Sequence, residues 1–444
     1  MPAADGGAPA ATESSGRQMR FTRRTTTALA TAAALGTILA GCATGAGSSA
    51  PAVRSHDDVT VYTWWAEGVE QQGLNALATA FEEQNPGIEF VDDGITGGGG
   101  SAAKEHLQTR LETQDPPDSF LAHAGAELQD YIDGKYIQDL SPLYQELGLT
   151  NAFPEDLIER LSTDGKIYSV PSNIHRANVM WVNPAVLQQH GLDPSGEYAD
   201  LDGFIADLET LKAAGVSAPL SVGTTWAQVH LLETVLLADL GPAAYNGLWS
   251  GETDWSGPEV TTALEHYRTL LSYSNPDRDD IDWQPATEKV IAGESAFNVM
   301  GDWALTAFES QGKKLGTDFL AVPSPGTSGE FDFLADSFTM STGILDEESA
   351  KAWLKTIGSK EGQVRFNKIK GSIPAREDVD AGQFTPYQQM AIKSFRQDTI
   401  VSSLAHGAAV PVSHLDQITA ATAAFSRDLD VAAFQSALVA AAAG

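Results

Sequence analysis

The chain has 444 residues, with 27 lysines and arginines against 59 aspartates and glutamates, a formal net charge of −32 and one cysteine. That length suits two or three globular units, because single cores stop growing near about 250–300 residues. The acidity argues against nucleic-acid binding, which needs a basic footprint, and against attraction to anionic membrane surfaces; one cysteine excludes an internal disulfide. Nine tryptophans in so acidic a chain are the first pointer to function.

Residues 1–18 are rich in Ala, Gly, Ser and Pro, carry no hydrophobic period and read either as disordered or as an upstream extension before a true start at Met19. Arg20, Arg23 and Arg24 then precede an apolar run from Thr27 to Ala40. The run is shorter than the roughly 20 residues a membrane-spanning helix needs, and it has the layout of an export signal. It ends in Leu39-Ala40-Gly41-Cys42, which is similar to the lipobox of bacterial lipoproteins, where the cysteine is acylated and becomes the new N-terminus. Residues 1–41 are therefore expected to be a signal peptide with its extension, Cys42 the lipidation site and residues 42–58 a small-residue tether. The remainder is expected to be extracytoplasmic, held at the cell membrane only through its lipid.

Val59–Thr63 alternates as a half-buried strand does. Leu74, Leu77, Ala78 and Phe81 recur at helical spacing up to Gln84, Asn85-Pro86-Gly87 stops the helix, and Ile88–Val91 reads as a second strand. This βαβ opening implies a parallel sheet. Helical segments are expected at about 101–113, 184–190, 200–213, 258–273, 286–292, 348–357, 361–367, 386–395 and 415–442, with strands at 167–170, 178–182, 296–300 and 319–322. The pattern is α/β throughout, without serial linkers, so two lobes sharing several crossings are expected rather than consecutive domains.

Gly97–Gly100 lacks the Gly-Lys-Ser/Thr of a phosphate loop and the spacing of a dinucleotide loop, but it lets a backbone approach a ligand closely. Trp64-Trp65 follows the first strand directly, at the strand end where open α/β sheets bind ligands; one indole can enter the core while the other projects. Trp226, Trp283 and Trp303 lie in other segments. Indole faces stack on pyranose C–H faces, while Asp, Glu, His, Lys and Asn bond the rim hydroxyls. The nine histidines form no His-x3-His pair with a glutamate, and no Gly-x-Ser-x-Gly elbow is present. No catalytic residue, metal set or cofactor is therefore assigned, although residue types alone leave a two-carboxylate glycosidase open.

The segments WWAEGVEQQGL (64–74), GITGGGG (94–100), DPPDSFLAHAG (115–125), YSVPSNIHRANVMW (168–181), AFNVMGDWA (296–304), ADSF (335–338), KGSIPAR (370–376) and SSLAHGAA (402–409) resemble those of family 1 extracellular solute-binding proteins of ABC sugar importers, of the glucose/mannose type. The resemblance implies a two-lobed, type II periplasmic-binding-protein clamp with a sugar cleft between lobes. Residues 59–174 plus 340–372 would form one lobe and 175–335 plus 376–442 the other, with crossings near 172–178, 336–342 and 370–376. It implies sugar contacts by Trp64, Trp65, Glu70, Thr96, Gly97, His123, Trp283, Asp336, Lys370 and His406, with Trp65 stacking, Trp64 behind or beside it, and Glu70 favoured over Glu67. Trp226, Gln228, Asn298, Asp302 and Trp303 are second choices, as fitted to support the cleft as to touch ligand. The implied partners are a neutral sugar, with a short glucosyl disaccharide as the alternative, and the permease subunits; the implied state is a monomer without cofactor. Leu121 stands where close glucose binders would carry a polar residue, so one rim contact is expected to be missing.

Overall fold

Alternating burial along Val59, Val61 and their neighbours sets the first strand, Asp58–Tyr62, at the heart of a five-stranded sheet. The structure is a computed structural model that describes residues 57–96 and 100–443; Cys42, Gly97, the signal segment and most of the tether lie outside the described residues. The first sheet runs in the order Glu89–Asp92, Asp58–Tyr62, Ser119–His123, Asp336–Thr339, Ser169–Pro171. Its first three strands are parallel, as the βαβ opening requires, and Asp336–Thr339 is antiparallel to both its neighbours. The helix Gly68–Gln84 covers this sheet with Leu74, Leu77, Ala80 and Phe81, and Gly73 lets it come close to Phe366 of the helix Lys360–Lys370.

A second sheet is ordered Leu320–Pro323, Val179–Val182, Phe297–Val299, Leu220–Ser221. Between the two lies a third sheet that no spacing in the sequence suggested: Thr399–Ser402, Glu330–Leu334, His175–Arg176. The chain passes from first to third to second sheet between Pro171 and Val179, and from third to first across Ala335. A bridge joins Ile174 to Ile373. Asn173 locks the crossings: its amide donates to Asp336 Oδ2 at 2.7 Å and its carbonyl accepts from the Asp336 backbone N–H at 2.9 Å. Two hydrophobic cores result. One lies under the first sheet and reaches across the crossings to Trp181 and Trp283; the other surrounds the helices Thr225–Ser250 and Pro258–Ser272. The protein is thus a two-lobed α/β clamp.

Several elements depart from the sequence expectation. Thr225–Ser250 is a helix with a break at Gly241-Pro242, and residues 227–237 are buried on every side. A helix wrapped by protein needs no polar face, so it shows no amphipathic period. The expected helix over 415–442 is two, Val412–Asp428 and Val431–Ala442. Leu429 turns left-handed between them, and Asp430 caps the second by accepting from Ala433 N–H. Among the described residues no helix is long and apolar enough to cross a membrane.

Candidate ligand-binding cleft

The cleft forms where the C-terminal ends of the parallel strands meet the crossings. Trp64 and Trp65 leave the first strand there, and His123 ends the third, directly opposite Asp336 in the strand register. Glu70 sits in the first turn of its helix and Lys370 at the last residue of its own, where Gly371 closes the helix in a left-handed turn. From the other side come Trp226, Trp283 and Trp303, each at or near the start of a helical segment. The loop after Ser402 brings in His406; its backbone lies so close to the 123–127 turn that Gly125 contacts Ala408 and Gly407 contacts Glu127. These groups, with His175 and Leu334, line one narrow cavity of about 30 Å³.

Trp65 is fully buried, its ring against Phe366 and Phe338, with the Lys370 ammonium 4.9 Å from its centroid. Trp64 is nearly buried beside His123, under the Lys104 ammonium at 5.2 Å. Both indoles belong to the first core and both border the cavity. Gly100 explains the glycine run in part: its φ is +96°, and a β-carbon there would lie 2.8 Å from the Trp64 ring.

The polar groups are held from behind. His123 Nδ1–H donates to Glu127 at 2.7 Å, and Lys104 donates to the same oxygen at 2.8 Å. Burial alone would push Glu127 up, but Lys104 and His123 hold it below the ordinary carboxylate range. His175 Nδ1–H donates to Asp302, whose other oxygen accepts from the Arg176 backbone N–H. Burial would lower His175; the charge of Asp302 and hydrogen bonds to Asp302 and Asp336 raise it instead. Asp336 is the reverse case: burial would raise it, but His175, Lys370 and His123 hold it far below its usual value. Burial and the neighbouring cationic groups push His406 well down, so its ring is neutral. Lys370 is ion-paired with Glu70.

The cavity therefore offers an ionised acceptor at Asp336, a donor at Lys370, imidazoles that can play either role, and indole faces. Of the residues named from sequence, Trp64, Trp65, Glu70, His123, Trp226, Trp283, Trp303, Asp336, Lys370 and His406 come together here. Thr96 does not; it lines an adjoining pocket that shares Trp64, Glu70 and Trp283, together with the exposed Glu67. Gln228 faces away, donating to Asp279 and Gly223. Asn298 is consumed inside the second sheet by Ser221 and Thr287. Asp302 supports His175 from behind. Leu121 is buried in the first core and does not line the cavity, so it cannot be the missing rim contact. Sequence reading missed His175, Lys104 and Glu127; the His123-x3-Glu127 spacing was the one available signal.

Comparison with known proteins agrees with this architecture. Residues 65–364 match the family described as bacterial extracellular solute-binding protein, and the chain belongs to that family. Membership makes it an extracytoplasmic binding protein. An uncharacterised ABC transporter extracellular-binding protein of Pyrococcus horikoshii is 34% identical over 392 residues, covering 87% of this chain and 88% of the relative. A probable sugar-binding periplasmic protein of Mesorhizobium japonicum is 31% identical, covering 80% and 85%. Among solved structures, a bacterial solute receptor described as exclusive for β-D-galactopyranose superposes with a TM-score of 0.75 at 15% identity, covering 86% of this chain and 97% of that one; the likeness is one of fold.

Proposed function

We propose that the protein is a lipid-anchored receptor, monomeric and fixed through Cys42, that closes its lobes on a neutral sugar of the glucose/mannose type and passes it unaltered to an ABC permease. The lobes are assigned as 59–174 plus 340–372 and 175–335 plus 376–442, with the first boundary of the returning strand moved to Asp336, because Asp336–Thr339 pairs within the first sheet. One observation carries the reading. Indoles from both sides of the crossings face a single small space whose rim holds an ionised carboxylate next to a lysine and three imidazoles. Flat apolar walls with alternating donors and acceptors complement a pyranose, whose ring faces are apolar and whose rim hydroxyls both give and take protons. The ring of contacts also explains closure, since a ligand touching both lobes stabilises the closed state by its difference in affinity. A glycosidase needs a protonated carboxyl acid beside an ionised partner; here Asp336 is ionised and Glu70 is paired with Lys370.

A second reading, a short glucosyl disaccharide, is favoured by a larger adjoining space of about 1220 Å³ that begins at Trp226 and runs past Lys104, Tyr131 and Asp416. A thermal-shift screen of neutral mono- and disaccharides tests both, because only a ligand of the native state raises the midpoint. A rise with glucose or mannose supports the first reading, and a rise confined to disaccharides supports the second. No rise with any sugar, or release of aglycone from aryl glycosides, refutes the receptor reading.

A further inference from the structure

Immediately behind His406, on the side away from the cleft, buried acceptors outnumber donors. His230 and Glu233 lie one turn apart on the helix Thr225–Ser250, and Asp332 lies on the third-sheet strand Glu330–Leu334. His230, Glu233 and Asp332 are 0% exposed and His406 is 3% exposed. The His230 Nε2–H donates to the Ala177 carbonyl at 3.0 Å, which leaves Nδ1 as a lone pair. That Nδ1 has no hydrogen-bond partner, and it lies 3.7 Å from Glu233 Oε1. His406 Nδ1 is 3.9 Å from the same oxygen, with Ser403 Oγ between them at 2.6 Å from the ring. Glu233 accepts from Ser403 and from the Ala405 backbone N–H, yet neither oxygen of the neighbouring Asp332 has a donor.

A lone pair facing a carboxylate oxygen is repulsive unless positive charge lies between them. A carboxyl proton cannot serve His230, since 3.7 Å is beyond hydrogen-bond reach. A cation can. The three candidate ligand atoms all lie within 4.8 Å of one another. A tetrahedral ion about 2.1 Å from each ligand spaces them by roughly 3.4 Å, which the 3.7 and 3.9 Å separations approach. A histidine whose second ring nitrogen is pinned to a backbone carbonyl is also the usual arrangement of a metal-bound imidazole. A divalent ion would take the place of the protons that burial drives onto Glu233 and Asp332.

We propose that His230 Nδ1, Glu233 Oε1 and His406 Nδ1 bind one divalent transition-metal ion of the zinc type, with Asp332 balancing its charge. Imidazole and carboxylate together select that class over calcium or magnesium, which prefer all-oxygen shells. Ser403 gives up its place beside His406 when the ion binds. With Nδ1 on the metal, His406 Nε2 carries the hydrogen, and this atom has no partner of its own on a residue that lines the cleft. The ion then fixes His406 as a donor to ligand. This positioning role rests on the sugar reading above; the metal site does not.

The test uses untagged protein, unfolded and refolded with Co2+ or Zn2+ so that burial does not block entry. Expected are one equivalent of tightly held metal, a visible Co2+ absorption band of tetrahedral intensity, and a higher thermal midpoint that chelator reverses. His230→Asn and Glu233→Gln should each weaken metal binding at least tenfold, while His190→Asn keeps it. Should His230→Asn not fold, the near-isosteric Glu233→Gln carries the comparison. Wild type that refolds without metal uptake or a cobalt band overturns the site, as does unchanged affinity in both variants. Removing the ion should weaken binding of whichever sugar raises the midpoint by at least threefold; unchanged sugar affinity overturns the positioning role. Failure of the sugar reading shows separately, as a flat sugar screen with the cobalt band intact.

Discussion

Replacing Asp336 with asparagine removes one charge and almost no volume, so it separates recognition from packing. Oδ2 is occupied by the Asn173 amide at 2.7 Å. Oδ1 has only His123 Nε2 at 3.6 Å, and is the acceptor left for a ligand hydroxyl. A hydrogen bond to a charged acceptor contributes about 1.5–3 kcal/mol. Losing it should weaken binding by about 10- to 150-fold, at 1.4 kcal/mol per factor of ten. The fold should persist, because Lys370 keeps Glu70 and His175 keeps Asp302. Isothermal titration with the sugar that most raises the midpoint, beside a thermal melt of each protein, reads both quantities. Affinity within threefold of wild type in a natively folded Asp336→Asn protein would refute the placement of the ligand at this carboxylate.

Trp65→Ala should cost about 3–5 kcal/mol of stability as well as binding, because the fully buried ring fills the space between Phe338 and Phe366; a melt within a few degrees of wild type would contradict that packing. Gly100→Ala should displace Trp64, since its new β-carbon would lie 2.8 Å from the ring at a φ of +96° that strains any side chain, and should both weaken sugar binding and lower the midpoint; unchanged titration would show the indole is not a contact. Lys104→Met leaves Glu127 buried with His123 alone and should destabilise by about 3 kcal/mol in urea unfolding. The pH dependence follows from the depressed carboxyls. Asp336 and Glu127 have folded values below their unfolded ones, so the stability they contribute is present above an unfolded value of about 4 and is lost only as pH falls through the lower folded values. Sugar affinity should therefore show no titration of the Asp336 acceptor between pH 7 and pH 5, and an acid limb centred on an ordinary carboxylate value would contradict the charge cluster.

Local rules made some elements legible and left others hidden. The βαβ opening, the stop at Asn85-Pro86-Gly87 and the helices near 258–273 and 386–395 were readable because one face of each is wet and the other dry. Thr225–Ser250 was not, because a helix buried on all sides loses its period. The split at Leu429 was hidden for another reason: a left-handed leucine has no signature, although Asp430 as a cap was visible afterwards. Of the candidate site, the tryptophans, Glu70, His123, Asp336, Lys370 and His406 came from resemblance to a family, not from spacing. Thr96, Gln228 and Asn298 show the limit of carrying positions over one at a time: Thr96 lines the adjoining pocket, and hydrogen bonds to Asp279 and Ser221, distant in the chain, hold Gln228 and Asn298 outside the cavity.

The amino-acid sequence by itself determined the class of the molecule. Composition argued against nucleic acid and ruled out an internal disulfide, periodicity gave alternating strands and helices, and the segments around 64–74, 168–181 and 296–304 gave the family. These are properties of neighbours along the chain. Only the tertiary structure decided which charges meet. Glu127 lies beneath His123 and Lys104, Asp302 beneath His175, and Glu233 beneath His406, each through contacts that come from different segments or cross a strand end. Protonation and hydrogen-bond direction in the cleft depend on those contacts, because burial removes the water that would otherwise screen them.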